Sequence, residues 1–141
     1  MRVAQVLGLQ AQGRFGEDDI AWIGTSASNE MRTVADLAAI VERKLGRVPT
    51  VIGDLNQELD QVAWCTGAAH SMLGNAIEAG AKVFISGEIS EPTVHLAREA
   101  GVVYMACGHH ATERYGVQAL GRFVEEQFGI EQQFVDIANP V

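Results

Sequence analysis

At 141 residues the chain is long enough for one α/β domain with a real core, and 48% apolar with 20% charged residues is an ordinary balance for a globular protein. A formal net charge of −8, with no basic run to offset it, argues against a nucleic-acid partner held through its phosphate backbone. No apolar run reaches the roughly 18 residues of a membrane span, and the start Met1-Arg2-Val3-Ala4 lacks a long apolar stretch, so neither a membrane partner nor a signal peptide is expected.

Taken in chain order, residues 2–9 read as the last turns of a helix ended by Gly8, and 13–19 as a loop by composition. Residues 20–24 read as a strand. Thr33 is placed to cap a helix whose Val34, Leu37, Ala38, Val41 and Leu45 form one apolar stripe, with Gly46 and Pro49 just beyond its end. Short strands are expected at 50–52 and 62–65, a helix at 69–79, a strand at 82–86 and a helix at 91–100 with Pro92 in its first turn. A strand at 102–106 leads to a long helix over 109–128, and a last strand is expected at 132–137. The two cysteines, Cys65 and Cys107, are expected as buried thiols in a reducing, cytoplasmic setting.

Strands alternating with helices that stop at Gly46, Gly80, Gly101 and Gly129 predict a largely parallel or mixed sheet flanked by helices. Three strands leave through a glycine and a polar residue: Thr66-Gly67, Gly87-Glu88 and Gly108-His109. In a parallel sheet these exits lie on one edge, where α/β proteins bind ligands, so Thr66, Glu88 and His109 are expected to converge.

The chemistry concentrates in Cys107-Gly108-His109-His110-Ala111-Thr112-Glu113-Arg114. On a helix, His109 and Glu113 share a face, and an imidazole with a carboxylate suits a divalent metal. The structural alternative is a helix start in which Glu113 complements the dipole and a histidine bonds backbone. Arg114 is open between holding Glu113, binding an anion and a solvated surface position. Glu88 is open between a general base, a group orienting a histidine and a helix cap. His95, seven residues further on, lies inside a helix, where a lone histidine is more often structural. Residues 65–69 open a helix with small side chains but carry neither G-x-G-x-x-G nor the P-loop lysine.

Val62-Ala63-Trp64-Cys65-Thr66-Gly67, then Phe84-Ile85-Ser86-Gly87-Glu88-Ile89-Ser90-Glu91-Pro92-Thr93-Val94-His95, then Gly108-His109-His110-Ala111-Thr112-Glu113-Arg114 resemble the successive C-terminal motifs of the NIF-three-like (YbgI-like) family, whose members are often labelled GTP cyclohydrolase type 2 homologues. Asp136-Ile137-Ala138-Asn139-Pro140 is similar too. The resemblance implies a metal-dependent hydrolase with a dinuclear centre of divalent ions (Zn, Fe, Mn or Mg), a small-molecule substrate and a homo-oligomer, a hexameric ring. It implies His109 and Glu113 as metal ligands, Glu113 bridging, and Glu88 and His95 as catalytic residues of the same cavity. Family members complete the centre with an adjacent His-His pair and an aspartate from an N-terminal half, whereas no histidine precedes residue 60 here. The chain therefore resembles the C-terminal part of a longer protein, with an incomplete site. The competing expectation is a non-catalytic oligomeric binding or scaffold module.

Overall fold

The computed structural model describes residues 2–140. The chain runs through α1 (Arg2–Leu7), β1 (Leu9–Phe15), β2 (Ala21–Ser26), α2 (Val34–Leu45), β3 (Thr50–Ile52) and β4 (Val62–Trp64). A 3-10 turn, His70–Met72, leads into α3 (Leu73–Glu78), followed by β5 (Val83–Ser86), α4 (Glu91–Ala100), β6 (Val103–Ala106) and α5 (His109–Phe128).

Six strands form one mixed sheet in the order β1-β2-β4-β5-β6-β3. Its centre is parallel: β4 pairs with β5 and β5 with β6. The flanks are antiparallel, with β2 on β4, β1 on β2 and β3 on β6. Every residue of the three central strands is buried, as expected when helices cover both faces of a parallel block. The pleat sorts them. Val62, Trp64, Val83, Ile85, Val103 and Met105 point to the side of α1 and α2. Ala63, Phe84 and Tyr104 point to the side of α3 and α4, where the two rings meet edge-on at 5.7 Å.

The start of α2 is fixed as its sequence suggests. The Thr33 side chain accepts from the Asp36 N–H, and the Asp36 carboxylate accepts from the Thr33 N–H. Gly46 ends the helix in the left-handed conformation.

Two sequence expectations are corrected. Residues 13–15 belong to a strand, not a loop. Leu9, Ala11, Gly13 and Phe15 alternate with Gln10, Gln12 and Arg14, and the small residues at 11 and 13 weaken that period-two signal. Residues 132–137 do not form a strand: residues 130–140 carry neither helix nor strand and join none of the six strands of the sheet among the described residues. Smaller shifts are at 2–9, where the helix stops at Leu7, and at 69–79, where the first turn is 3-10.

Candidate metal-ligand cluster at the sheet edge

The parallel strands β4, β5 and β6 end on the same edge, and their hydrogen bonding continues past their ends. Cys107 N–H donates to Ser86 O at 2.8 Å, Gly108 N–H to Gly87 O at 2.8 Å, and Gly87 N–H to Gly67 O at 3.0 Å. The exits at 66–67, 87–88 and 108–109 are thereby brought together, as the sequence pattern predicts.

Three side chains meet there. His109 Nδ1 lies 2.6 Å from Glu88 Oε1, and His109 Nε2 lies 3.1 Å from Glu113 Oε2. His109 opens α5 and Glu113 follows one turn later on the same face. Glu113 lies beyond the first turn of α5, so the dipole reading is not what places it. Glu88 is not a cap either, because Ser90 holds the N-cap position of α4. The Glu88 carbonyl accepts from the Tyr104 hydroxyl at 2.5 Å, which ties the exit loop to β6.

The hydrogen bond that His109 donates to the Glu88 carboxylate raises its pKa above the ordinary value, and the nearby Glu113 charge adds to this against some desolvation. With the proton on Nδ1 and bonded to Glu88, the Nε2 lone pair of neutral His109 faces a carboxylate oxygen. A proton or a cation between them relieves that repulsion.

The separation fits a shared ion. Two donors about 2.1 Å from one ion sit about 3.0 Å apart at an octahedral edge and about 3.4 Å apart at a tetrahedral one. The observed 3.1 Å falls in that interval. The backbone is shaped to the pair: Gly67 has φ +69°, and a Cβ there would collide with Glu113 Oε1 and crowd His109 Nε2 at 3.2 Å. The fit extends to two donors only. Glu88 is spent on the far side of the ring, and among the described residues no group of three His, Cys, Asp or Glu side chains can hold a metal.

The remaining candidates lie elsewhere. His95 is exposed on α4 and takes no part in the hydrogen bonds of this cluster. His110 turns away from its neighbour and bonds Asp136 at 3.0 Å. Arg114 donates to Asp136 at 2.9 Å and to Leu45 O at 2.9 Å, so it holds neither Glu113 nor a free anion. Thr66 lines a cavity of about 330 Å³ beside Glu113, together with Arg2 and Thr112. Both cysteines are free thiols, and burial pushes Cys107 up to about 12, as befits a packing residue. Gly67 is marked in the sequence as a strand exit, but the parts played by Ser86 and Thr112 depend on contacts across the sheet edge that no local pattern reveals.

The family model Duf34/NIF3 (NGG1p interacting factor 3) matches residues 1–140. A Pseudomonas aeruginosa protein named GTP cyclohydrolase 1 type 2 homolog is 43% identical, over 99% of this chain and 56% of its own length. An Escherichia coli protein of the same name is 46% identical over 74% of this chain and 43% of its own. The solved structure of ybgI, a protein of unknown function, superposes with a TM-score of 0.91 at 38% identity, covering 99% of this chain and 56% of that one. HcgD from Methanocaldococcus jannaschii shares the fold, with a TM-score of 0.76 at 19% identity over 92% of this chain and 52% of its own. The chain thus spans about half the length of these relatives.

Proposed function

The chain belongs to the Duf34/NIF3 family, and from that premise we propose that His109 and Glu113 are ligands of a divalent-metal centre in a metal-dependent hydrolase. The observation that carries this is the line of contacts Glu88–His109–Glu113. A carboxylate fixes the imidazole through Nδ1, and Nε2 lies beside a second carboxylate at a separation suited to one ion. His109 and Glu113 would hold an ion between Nε2 and Oε2, and the remaining ligands of a dinuclear centre would come from outside these two side chains.

A divalent ion held there supplies Lewis acidity and an activated water. The protein's own part is more easily read. Glu88 keeps the proton on Nδ1 and so presents Nε2 as the donor. Glu113 brings negative charge that favours a cation. The adjoining cavity of about 330 Å³ offers Thr66 and Arg2 to a small polar substrate. The substrate reading rests on the relatives' name, which points to hydrolysis of a purine nucleotide ring.

Elemental analysis of the purified protein, beside a His109→Ala/Glu113→Ala variant, tests the reading. Metal that co-purifies with the parent and is lost in the folded variant is the expected result, with loss of any turnover in His109→Ala. Equal metal in both contradicts it. A second reading, a non-catalytic oligomeric module, is favoured by the exposed Val117, Leu120, Phe123 and Phe128 along α5. Turnover absent with every metal tried, from a stable oligomer, would favour the module. A homo-oligomer is part of both readings.

A further inference from the structure

The buried serine and threonine residues among the described residues are Ser86, Thr93 and Thr112, and two of the three, Ser86 and Thr112, bond to Gly67. A buried hydroxyl costs stability unless it is bonded, and Thr112 is fully used. Its oxygen accepts the Gly67 N–H at 3.2 Å, and its own proton is shared between Gly108 O at 2.9 Å and His109 O at 3.0 Å. Bonding back to the carbonyl four residues earlier is what many helical threonines do. Accepting an N–H from another strand exit, 45 residues away in sequence, is not.

On the other side of the same residue, the Gly67 carbonyl accepts three donors: the Ser86 hydroxyl at 3.2 Å, Gly87 N–H at 3.0 Å and Glu88 N–H at 3.2 Å. Gly67 is thus a hub. Its carbonyl holds the exit that carries Glu88, and its N–H holds the first turn of the helix that carries His109 and Glu113. The hub also abuts the pair itself, since no Cβ fits between Gly67 and the Glu113 carboxylate.

We infer that Thr112 is a positioning residue for the proposed metal-ligand pair: its hydroxyl pins the Gly67 hub to the first turn of α5 and so sets His109 and Glu113 against each other and against Glu88. Thr112 touches no reacting atom and acts through Gly67. The inference rests on the metal-site reading for its consequence but not for its geometry.

Thr112→Val keeps the shape, deletes the acceptor and leaves the Gly67 N–H buried without a partner. Thr112→Ser keeps the hydroxyl. Zn²⁺ affinity is measured by competition with a chromophoric chelator, and the metal-free protein is labelled with ¹⁵N-histidine so that the His109 ring signals report its bond to Glu88. The expected result is a loss of about tenfold or more in Zn²⁺ affinity for folded Thr112→Val, with shifted or broadened His109 signals, and both restored in Thr112→Ser. If Thr112→Val does not fold, Ser86→Ala loosens the same hub from its other side and must move the His109 signals in the metal-free protein. A folded Thr112→Val with a lower melting temperature but parental affinity and parental His109 signals overturns the inference, as does an unmoved Ser86→Ala should that variant be needed. A parent that takes up no Zn²⁺ would remove the metal-site reading, and the His109 signals would still decide the positioning role.

Discussion

His109 is held from both ends of its ring, and each contact has a separate consequence. The bond to Glu88 is the larger cause of its raised pKa. Glu88→Gln is therefore expected to bring the His109 titration, followed by NMR in metal-free protein, down toward the ordinary value of about 6.5. A group whose folded pKa is raised stabilises the fold below its unfolded pKa, and that stabilisation is lost as pH rises through the folded value. The parent should accordingly lose a small increment of stability from pH 6.5 upward, and Glu88→Gln should lose less. An unchanged His109 titration in Glu88→Gln would remove Glu88 from its assigned role. Gly67→Ala is expected to destabilise by at least about 1–2 kcal/mol from its left-handed backbone alone, and to perturb the His109 signals because its methyl group meets Glu113. Chemical denaturation and the same NMR spectra check both parts.

At the scale of elements, α5 does two jobs. Its first turn is seated on the sheet edge, where Ala111 and Thr112 are buried, and no later residue of the helix is buried. The extended segment after Gly129 is held by side chains: Asp136 by His110 and Arg114, and the Pro140 carbonyl by Arg47. The His110 hydrogen bond and the Arg114 charge hold the Asp136 carboxyl below its usual range. Its contribution is therefore present above the ordinary carboxylate value of about 3.9 and lost as pH falls through the lower folded value. Asp136→Ala is expected to free residues 130–140, seen as faster limited proteolysis after Gly129, with little change in the melting of the sheet. Thr33→Ala, which removes a capping box far from the site, should cost about 1 kcal/mol by denaturation and leave metal uptake unchanged.

Much of this level is legible in the sequence. The stripe of α2, its Thr33 cap and the three glycine exits follow local rules that need no partner, and the exits alone bring Glu88 toward His109. The strand β1 is masked in the sequence by Ala11 and Gly13, which occupy half-buried positions with little apolar area. The segment 132–137 was over-read for the opposite reason. Gln132, Phe134 and Asp136 alternate convincingly with Gln133, Val135 and Ile137, but β propensity reports a fit to a neighbouring strand, and none lies beside it among the described residues. His95 belongs to the same motif as Glu88, and its helix carries it to solvent. Ser86 and Thr112 are not legible in this way, because their parts lie in contacts made to Gly67 from separate segments.

At the scale of the whole molecule, exposed apolar side chains occur on α5 and also at Ile130, Val135 and Ile137 of the segment that follows it. A surface of this kind supports the proposed assembly of copies. Light scattering is expected to give a mass above that of one chain, and Leu120→Glu with Phe128→Glu to lower it without unfolding; a monomeric parent would remove the oligomer from both functional readings. None of the helices is long and apolar enough among the described residues to cross a membrane. The two-donor cluster sits on one edge of a sheet from a chain about half as long as its relatives. The two side chains His109 and Glu113 nevertheless allow a direct measurement. Titration of the parent and the His109→Ala/Glu113→Ala variant with Zn²⁺, against a chromophoric chelator, is predicted to show saturable binding in the parent that the folded variant loses. Binding of equal strength in both, or none in the parent, would contradict the assignment of His109 and Glu113 as metal ligands.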